Sequence, residues 1–542
     1  MVNASRFPLY QKNPWFLWDF LISLLFVSAL CFFFEPYWNT NDDVAMSMVA
    51  HGYGFAAVSS PTIVFSNVLW GHLVRSIPQI NGVLGYSIVT LGTLVGISTA
   101  ILFVLRQLGI GLLLSLFILL FILVRPVLLP QFTINAGLLA VAAIACWSLY
   151  EQQEKKYALL AGCMLAFCSY LVRNHEFLLI ILIASPFLPW SKLLKDRAAQ
   201  AAAIVLIIAI SIATFIDYQA YQGSEWQAFT ALDPARAPFT DFRADIQLNQ
   251  HPEILSRHGY STNDINLITE WFFVDPAIAN PTALNAMLTE LGPLAAQPNS
   301  LINGWEGIQA LAHPVLLPSV VAAILLLFIL PSRKLFITWV LCLMTLFTLG
   351  LLGRPGVLRV YIPVLALMLI APFLEHSAQH THKRLSWHLA QAVIIVAAIV
   401  NTLQIFSDSR ATQQYSEAIR KNLSGFPNDT VVAWGLVFPY ENVYPVLKQS
   451  ESAMKYQHYS LGTDILAPFS RAFLEEKNGT GMIARLISKD GVPIIADAPL
   501  FNLLAIYCKE HFDGDLEELA SQQYGHINLS WRRCNTQKTQ SE

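Results

Sequence analysis

Two adjacent carboxylates, Asp42 and Asp43, stand just beyond the first apolar run of the chain, in the string Asn41-Asp42-Asp43. Neighbouring acids raise one another's proton affinity, so such a pair can supply a general base together with a group that orients the substrate. The complementary residues are cations able to hold an anion, and Arg125, Arg173, Arg354 and Arg359 all lie at or near the ends of apolar runs. A guanidinium keeps its charge and grips phosphate oxygens with a fork of donors. Glu176 and His175 beside Arg173, Tyr361 beside Arg359, and Asp264 complete the set of accessory candidates. These are the parts for displacing a phosphate from carbon. A carboxylate takes the proton of an attacking hydroxyl while arginines stabilise the departing anion. Asp42 is the first choice of base, with Asp43 as its partner or as an orienting group. Plainer roles compete: one acid can cap a helix, Glu176 can pair structurally with Arg173, and arginines at a membrane surface can anchor to headgroups.

The elements that must position these residues are set by a composition unlike that of a soluble protein. Of 542 residues, 55% are hydrophobic and 13% charged, against roughly 25% charged in soluble domains. A net charge of -3 without a basic cluster excludes a nucleic-acid partner. Apolar runs near 15–34, 83–104, 108–124, 132–150, 157–172, 177–190, 198–216, 314–330, 335–352, 358–374 and 388–406 predict about eleven membrane helices. The first run ends in Glu35 and Pro36 instead of a small-residue cleavage site, so it reads as an uncleaved helix. Short cytoplasmic loops are rich in Lys and Arg. With the N-terminus inside, the inner loops hold Arg106, Lys155, Lys156, Lys192, Lys195, Arg197, Arg333, Lys334, Lys383 and Arg384. The four candidate arginines break that rule by falling at or near the outer surface, where a shared anionic ligand would account for them.

The same topology puts two long loops, 35–82 and 217–313, and the C-terminus on the outer side. In the first loop Val44, Met48 and Val49 fit a short helix with Asn41 or Asp42 as its N-cap, and Ile63 to Ile77 fit an amphipathic surface segment. In the second, Ser261 or Thr262 caps an expected helix. Two parts result: a transmembrane part, 1–406, and an extracytoplasmic α/β domain, 407–542. The latter has strands expected at Thr430, Gly491 and His526 and a helix over Phe501 to His511. Cys508 and Cys534 in this tail can pair if the compartment is oxidising, and the other five cysteines lie in apolar runs.

An acid pair directly after helix one, arginines at outer helix ends, a large second loop and a soluble tail together resemble the GT-C superfamily of membrane glycosyltransferases. That superfamily includes protein mannosyltransferases, oligosaccharyltransferases and lipid A aminoarabinose transferases. The resemblance implies a catalytic role for Asp42 and Asp43 and donor-phosphate contacts for Arg173, Arg354 and Arg359, with Arg125 a further candidate. It implies a polyprenyl-phosphate sugar as donor and an extracytoplasmic hydroxyl of an envelope glycan, lipid or protein as acceptor. The anomeric centre would be inverted, and a bacterial inner membrane with the site facing the periplasm is the expected setting. Some members use a divalent cation, and Asp42 and Asp43, with Glu176 or Asp264, can offer oxygen ligands to Mg2+ or Mn2+, although the spacing demands neither. The Trp-Trp-Asp-Tyr-Gly string of the oligosaccharyltransferases is missing. Rival readings are a flippase-like carrier, an assembly scaffold for the envelope, or an O-antigen polymerase or ligase-like enzyme using a diphosphate-linked donor.

Overall fold

A computed structural model describes residues 14–292, 300–376, 384–447, 453–462 and 464–536. Among these, seven helices are long and apolar enough to cross a membrane: Phe16–Phe33, Gly85–Gln107, Phe132–Gln153, Arg197–Ala220, Arg333–Leu351, Leu358–Glu375 and Leu385–Gly425. An eighth span arises if Ser300–Ala312 and Leu317–Ile329, bent by 90° at a short break, are taken together. Three expected spans form shorter helices, Leu112–Leu128, Lys156–Val172 and Asn174–Ile183. The last is cut off where Ser185-Pro186-Phe187 turns into a 3-10 helix, because proline cannot donate to the turn before it.

Phe132–Gln153 is the axle of the bundle, with its whole apolar window buried. Small residues let its neighbours close in: a Cβ on Gly137 would stand 2.4 Å from the Pro363 ring, and one on Gly162 would stand 2.5 Å from Trp147. Arg197–Ala220 lies at the other extreme, with 11% of its window buried. Ile204, Val205, Ile207, Ile208, Ile212 and Phe215 on it are all exposed. Such an apolar surface is stable facing lipid and not water. This is a helical membrane protein. Among the described residues, ion pairs of the bundle gather at its two ends. At one end Arg106 meets Asp19, Lys192 meets Glu154, and Lys334 lies 3.6 Å from Glu151 and 3.7 Å from Glu375. At the other, Arg359 meets Asp42, Arg354 meets Asp241 and Arg420 meets Glu35.

The C-terminal sheet comprises β1 (Thr430–Trp434), β2 (Gln457–Leu461), β3 (Val492–Ile495), β4 (Gly514–Tyr524) and β5 (Ile527–Thr536), in the order β2-β1-β3-β5-β4. The first three are parallel, and β5 runs antiparallel to both β3 and β4. β1, β3 and β5 fall where strands are expected, and β2 and β4 are additional. The expected helix is Ala498–Phe512, and Cys508 on it is bonded to Cys534 on β5. The polar composition that begins near residue 407 does not mark a break: helix Arg384–Asn422 runs on through it, and the α/β fold starts beyond.

Helices of the second long loop share a hydrophobic core with this sheet. Phe272 stacks within 5.4 Å of Trp434 and 5.2 Å of Tyr507, and the Trp434 indole donates to Glu270 O at 2.6 Å. The first long loop is sewn to the sheet's other flank. Gly54 bridges Gln457 on the edge strand β2, Arg471 N donates to Phe55 O at 2.8 Å, and Ala57 N donates to Phe469 O at 2.9 Å. Both loops and the tail therefore make one head over one end of the bundle.

Candidate functional site

Asp42 and Asp43 occupy the first turn of helix Asn41–His51, whose N-cap is the extended Thr40 and not Asn41 or Asp42. Free N–H groups and the helix dipole favour negative charge at both positions. The two side chains then diverge. Asp43 is completely buried. It accepts from Tyr86 Oη at 2.9 Å, from Phe132 N at 3.0 Å and from Thr40 Oγ1 at 3.3 Å, which bolts this helix to Gly85–Gln107 and to the start of Phe132–Gln153. Burial pushes its carboxyl up to about 8, despite the hydrogen bonds that oppose the shift. Burial thus favours its neutral form, and its three hydrogen bonds give it a structural role. Asp42 turns outward, 27% exposed, and meets Arg359 at 2.6 Å.

Arg359 stands at the start of helix Leu358–Glu375. Arg173 sits at the junction of Lys156–Val172 and Asn174–Ile183, where an extended residue breaks one helix from the next. Its guanidinium lies over the Phe65 and Phe132 rings, 5.6 and 5.4 Å from their centroids, and donates to Phe65 O at 3.2 Å. The charges of Arg359, Asp42, Glu176 and Arg354 all act on it. Among the described residues no carboxylate stands within ion-pair distance of Arg173. Arg354 completes the group, 3.3 Å from Asp241 of the second loop and over the Phe242 ring. Asp241 is also 3.6 Å from the largely buried Arg236, whose Nε bonds Asp233 at 3.1 Å.

Glu176 is 3% exposed and its Oε1 has no hydrogen-bond partner, packed beside Gly137 within the fields of Arg173 and Arg359. His175 is exposed next to Arg173. Three candidates lie elsewhere. Arg125 is enclosed in the bundle, and the nearby charge is Asp408. Tyr361 is a strut, its hydroxyl donating to Gly307 O at 2.7 Å. Asp264 forms a capping box with Ser261 and bonds His511 at 2.8 Å, so it holds the second loop to the tail.

Two acids of the tail reach Asp42 without any sign in the sequence. Glu441 follows β1 on a short helix packed against Asn41–His51, and its carboxyl is raised by burial and by the Asp42 charge. Asp464 follows β2. Burial and the charges of Asp42 and Asp233 push it up to about 7, and its Oδ1 is closed off with no partner. Both lie beyond the carboxyl ends of parallel strands, where α/β sheets place their ligands. Composition could not reveal them, because each becomes close to Asp42 only through the docking of the head.

Divergence of Asp42 and Asp43 removes them as joint ligands of Mg2+ or Mn2+. Among the described residues the group of three potential ligands within 4.8 Å is Asp264, Glu510 and His511. Asp264 and Glu510 already accept there from His511, Ser261 N and Ser261 Oγ. Comparison with protein-family models, with curated proteins and with solved structures found no match. Fold and site define a polytopic helical membrane protein whose soluble head closes over a cluster of acids and arginines at one end of its bundle.

Proposed function

We propose that this protein is a membrane glycosyltransferase of GT-C type, with about eleven spans, its N-terminus inside and its head outside. It moves a sugar from a polyprenyl-phosphate carrier to a hydroxyl outside a bacterial inner membrane. The observation that carries the reading is the trio Asp42, Arg359 and Arg173: an outward carboxylate paired with one guanidinium and faced by a second that aromatic rings hold without an acid. The paired cysteines of the head fit an oxidising compartment, and the charge bias of the loops fits an inner N-terminus.

In this mechanism the donor phosphate binds between Arg173 and Arg359 and draws Arg359 away from Asp42. Asp42, freed, accepts the proton of the acceptor hydroxyl as that oxygen attacks the anomeric carbon from the face opposite the phosphate. The carbon–oxygen bond to the phosphate breaks and its electron pair leaves on polyprenyl phosphate, whose charge the two arginines balance. Glu441 and Asp464 border the acceptor side. No nucleotide is required, because the lipid phosphate is already a competent leaving group.

The test is release of polyprenyl phosphate by purified protein in lipid, offered a panel of polyprenyl-phosphate sugars and acceptors. Asp42→Asn is expected to lower release by about 10²- to 10⁴-fold, the range for loss of a general base. No release from any donor by the wild type would remove the catalytic reading.

A further inference from the structure

The head carries a second concavity at the edge of the sheet away from the Asp42 site. Glu441 and Asp464 follow the carboxyl ends of β1 and β2, whereas this cavity, of about 370 Å³, opens at the amino ends of β1 and β3. The five residues of β1 separate the two edges by roughly 13 Å at about 3.3 Å per residue.

Two ring-bearing side chains, Pro493 and Trp531, form part of the cavity's lining. Pro493 of β3 pairs directly with Trp531 of β5, so their side chains emerge on the same face as neighbours. A register shift in β4 at Glu518/Ala520 lies opposite Trp531, and such bulges re-aim the side chains beside them. The rim is polar. Asp429 and Asp490 are exposed, and among the described residues neither is paired with a cation. Arg485 closes one wall, bonded to Thr430 O at 3.1 Å and to Glu475 at 3.2 Å, and its Nε is shielded from solvent without a partner.

Three carboxylates against one guanidinium make the cavity electronegative, which rules against a phosphate or any other anion. An indole and a proline ring offer an apolar face. The free carboxylates of the same lining offer acceptors to hydroxyl donors. A sugar ring has both complements, C–H groups on its flat faces and hydroxyls around its edge. The volume sits near the low end of the roughly 300–1,000 Å³ range of small-molecule sites, which suits a short saccharide. We infer that this cavity binds a neutral saccharide segment, with Trp531 and Pro493 as the stacking floor and Asp429, Glu475 and Asp490 as hydroxyl acceptors. The inference goes beyond the transfer reaction, since it assigns the head a carbohydrate contact of its own, remote from the reacting atoms.

Full-length protein in nanodiscs is titrated with maltotetraose, cellotetraose, mannotetraose and the N-acetylglucosamine tetramer, with binding followed calorimetrically and by saturation-transfer NMR. At least one is expected to bind saturably. Trp531→Ala and Asp490→Asn should each weaken it about tenfold, the scale of one aromatic contact or one hydrogen bond to a charged group. Glu517→Gln, on the β4–β5 hairpin outside the cavity, should leave it unchanged. Asp490 is exposed, so its substitution reads binding even if the tryptophan variant folds poorly. Binding of none of the four would overturn the inference, as would saccharide binding indifferent to Asp490→Asn. Spermidine binding without saccharide binding would make this a cation site and overturn it too. Binding is scored without turnover, so failure here and failure of polyprenyl-phosphate release are separate results.

Discussion

At the scale of residues, two acids adjacent in sequence have opposite fates because consecutive helical positions point about 100° apart. Asp42 faces the arginines, whereas Asp43 faces Tyr86 and the Phe132 amide. Since burial favours the neutral form of Asp43, an amide is a fair substitute: its oxygen can accept from Tyr86 and Phe132 while its nitrogen meets Thr40. Asp43→Asn is therefore expected to fold and to keep release within a few-fold of wild type. Asp43→Ala orphans buried donors at about 1–3 kcal/mol each and should lower the thermal midpoint clearly; differential scanning fluorimetry of the two variants decides this. The pair was legible in the sequence as a pair, but the burial of Asp43 and the outward turn of Asp42 were not. Both depend on which side of one helix turn meets the axle helix.

Asp464 gives a second prediction at this scale, in pH. Its folded pKa is raised from 3.8 to about 7. An unfolded chain gives up that proton above 3.8 while the folded one keeps it, so in this window the unfolded state binds fewer protons and stability falls as pH rises. Asp43 contributes in the same direction up to about 8. Asp464→Asn should thus flatten, without abolishing, the decline in melting temperature between about pH 4 and 7. An unchanged slope would place Asp464 in a more polar setting than the one described.

At the scale of elements, apolar runs marked the seven described helices long and apolar enough to cross a membrane, because burial in lipid demands continuous hydrophobicity. What they could not mark is length. Asn174–Ile183 and Leu317–Ile329 are shorter than the spans expected over 177–190 and 314–330, and Ser300–Ala312, expected as part of the long loop 217–313, is an apolar helix bent against the latter. In the tail, short apolar strands β1 and β3 were visible, while β4 was not: most of its residues are exposed, with no inward–outward alternation to read. The Cys508–Cys534 bond joins helix Ala498–Phe512 to β5 across 26 residues. Closing a loop of that size stabilises by about 3 kcal/mol in the chain-entropy account. Replacing both cysteines with alanine should make the head open to protease at lower temperature while leaving the bundle's melting unchanged. Equal protection with and without the bond would show that the shared core of tail and second loop suffices.

At the scale of the whole molecule, the membrane part and the head are one machine because the site belongs to neither alone. Asp42 comes from the first loop, Arg173 and Arg359 from helix ends, Asp241 from the second loop, and Glu441 and Asp464 from the tail. Sequence reading found the contributors tied to membrane spans, since a charge at a helix end breaks a composition rule. It misplaced Arg125, which breaks the same rule but is taken into the bundle, and Asp264, whose spacing served a helix cap. It missed the tail's acids, which break no rule at all.

The account rests on Asp42 acting as base while its partner arginine holds the donor phosphate, and one preparation can test both halves. Wild type and Asp42→Asn are compared in lipid for polyprenyl-phosphate release from a donor sugar and for direct binding of polyprenyl phosphate. Removing the carboxylate should lower release by about 10²- to 10⁴-fold yet leave product binding as tight or tighter, because Arg359 loses its competing partner. Release by Asp42→Asn at the wild-type rate would contradict the account.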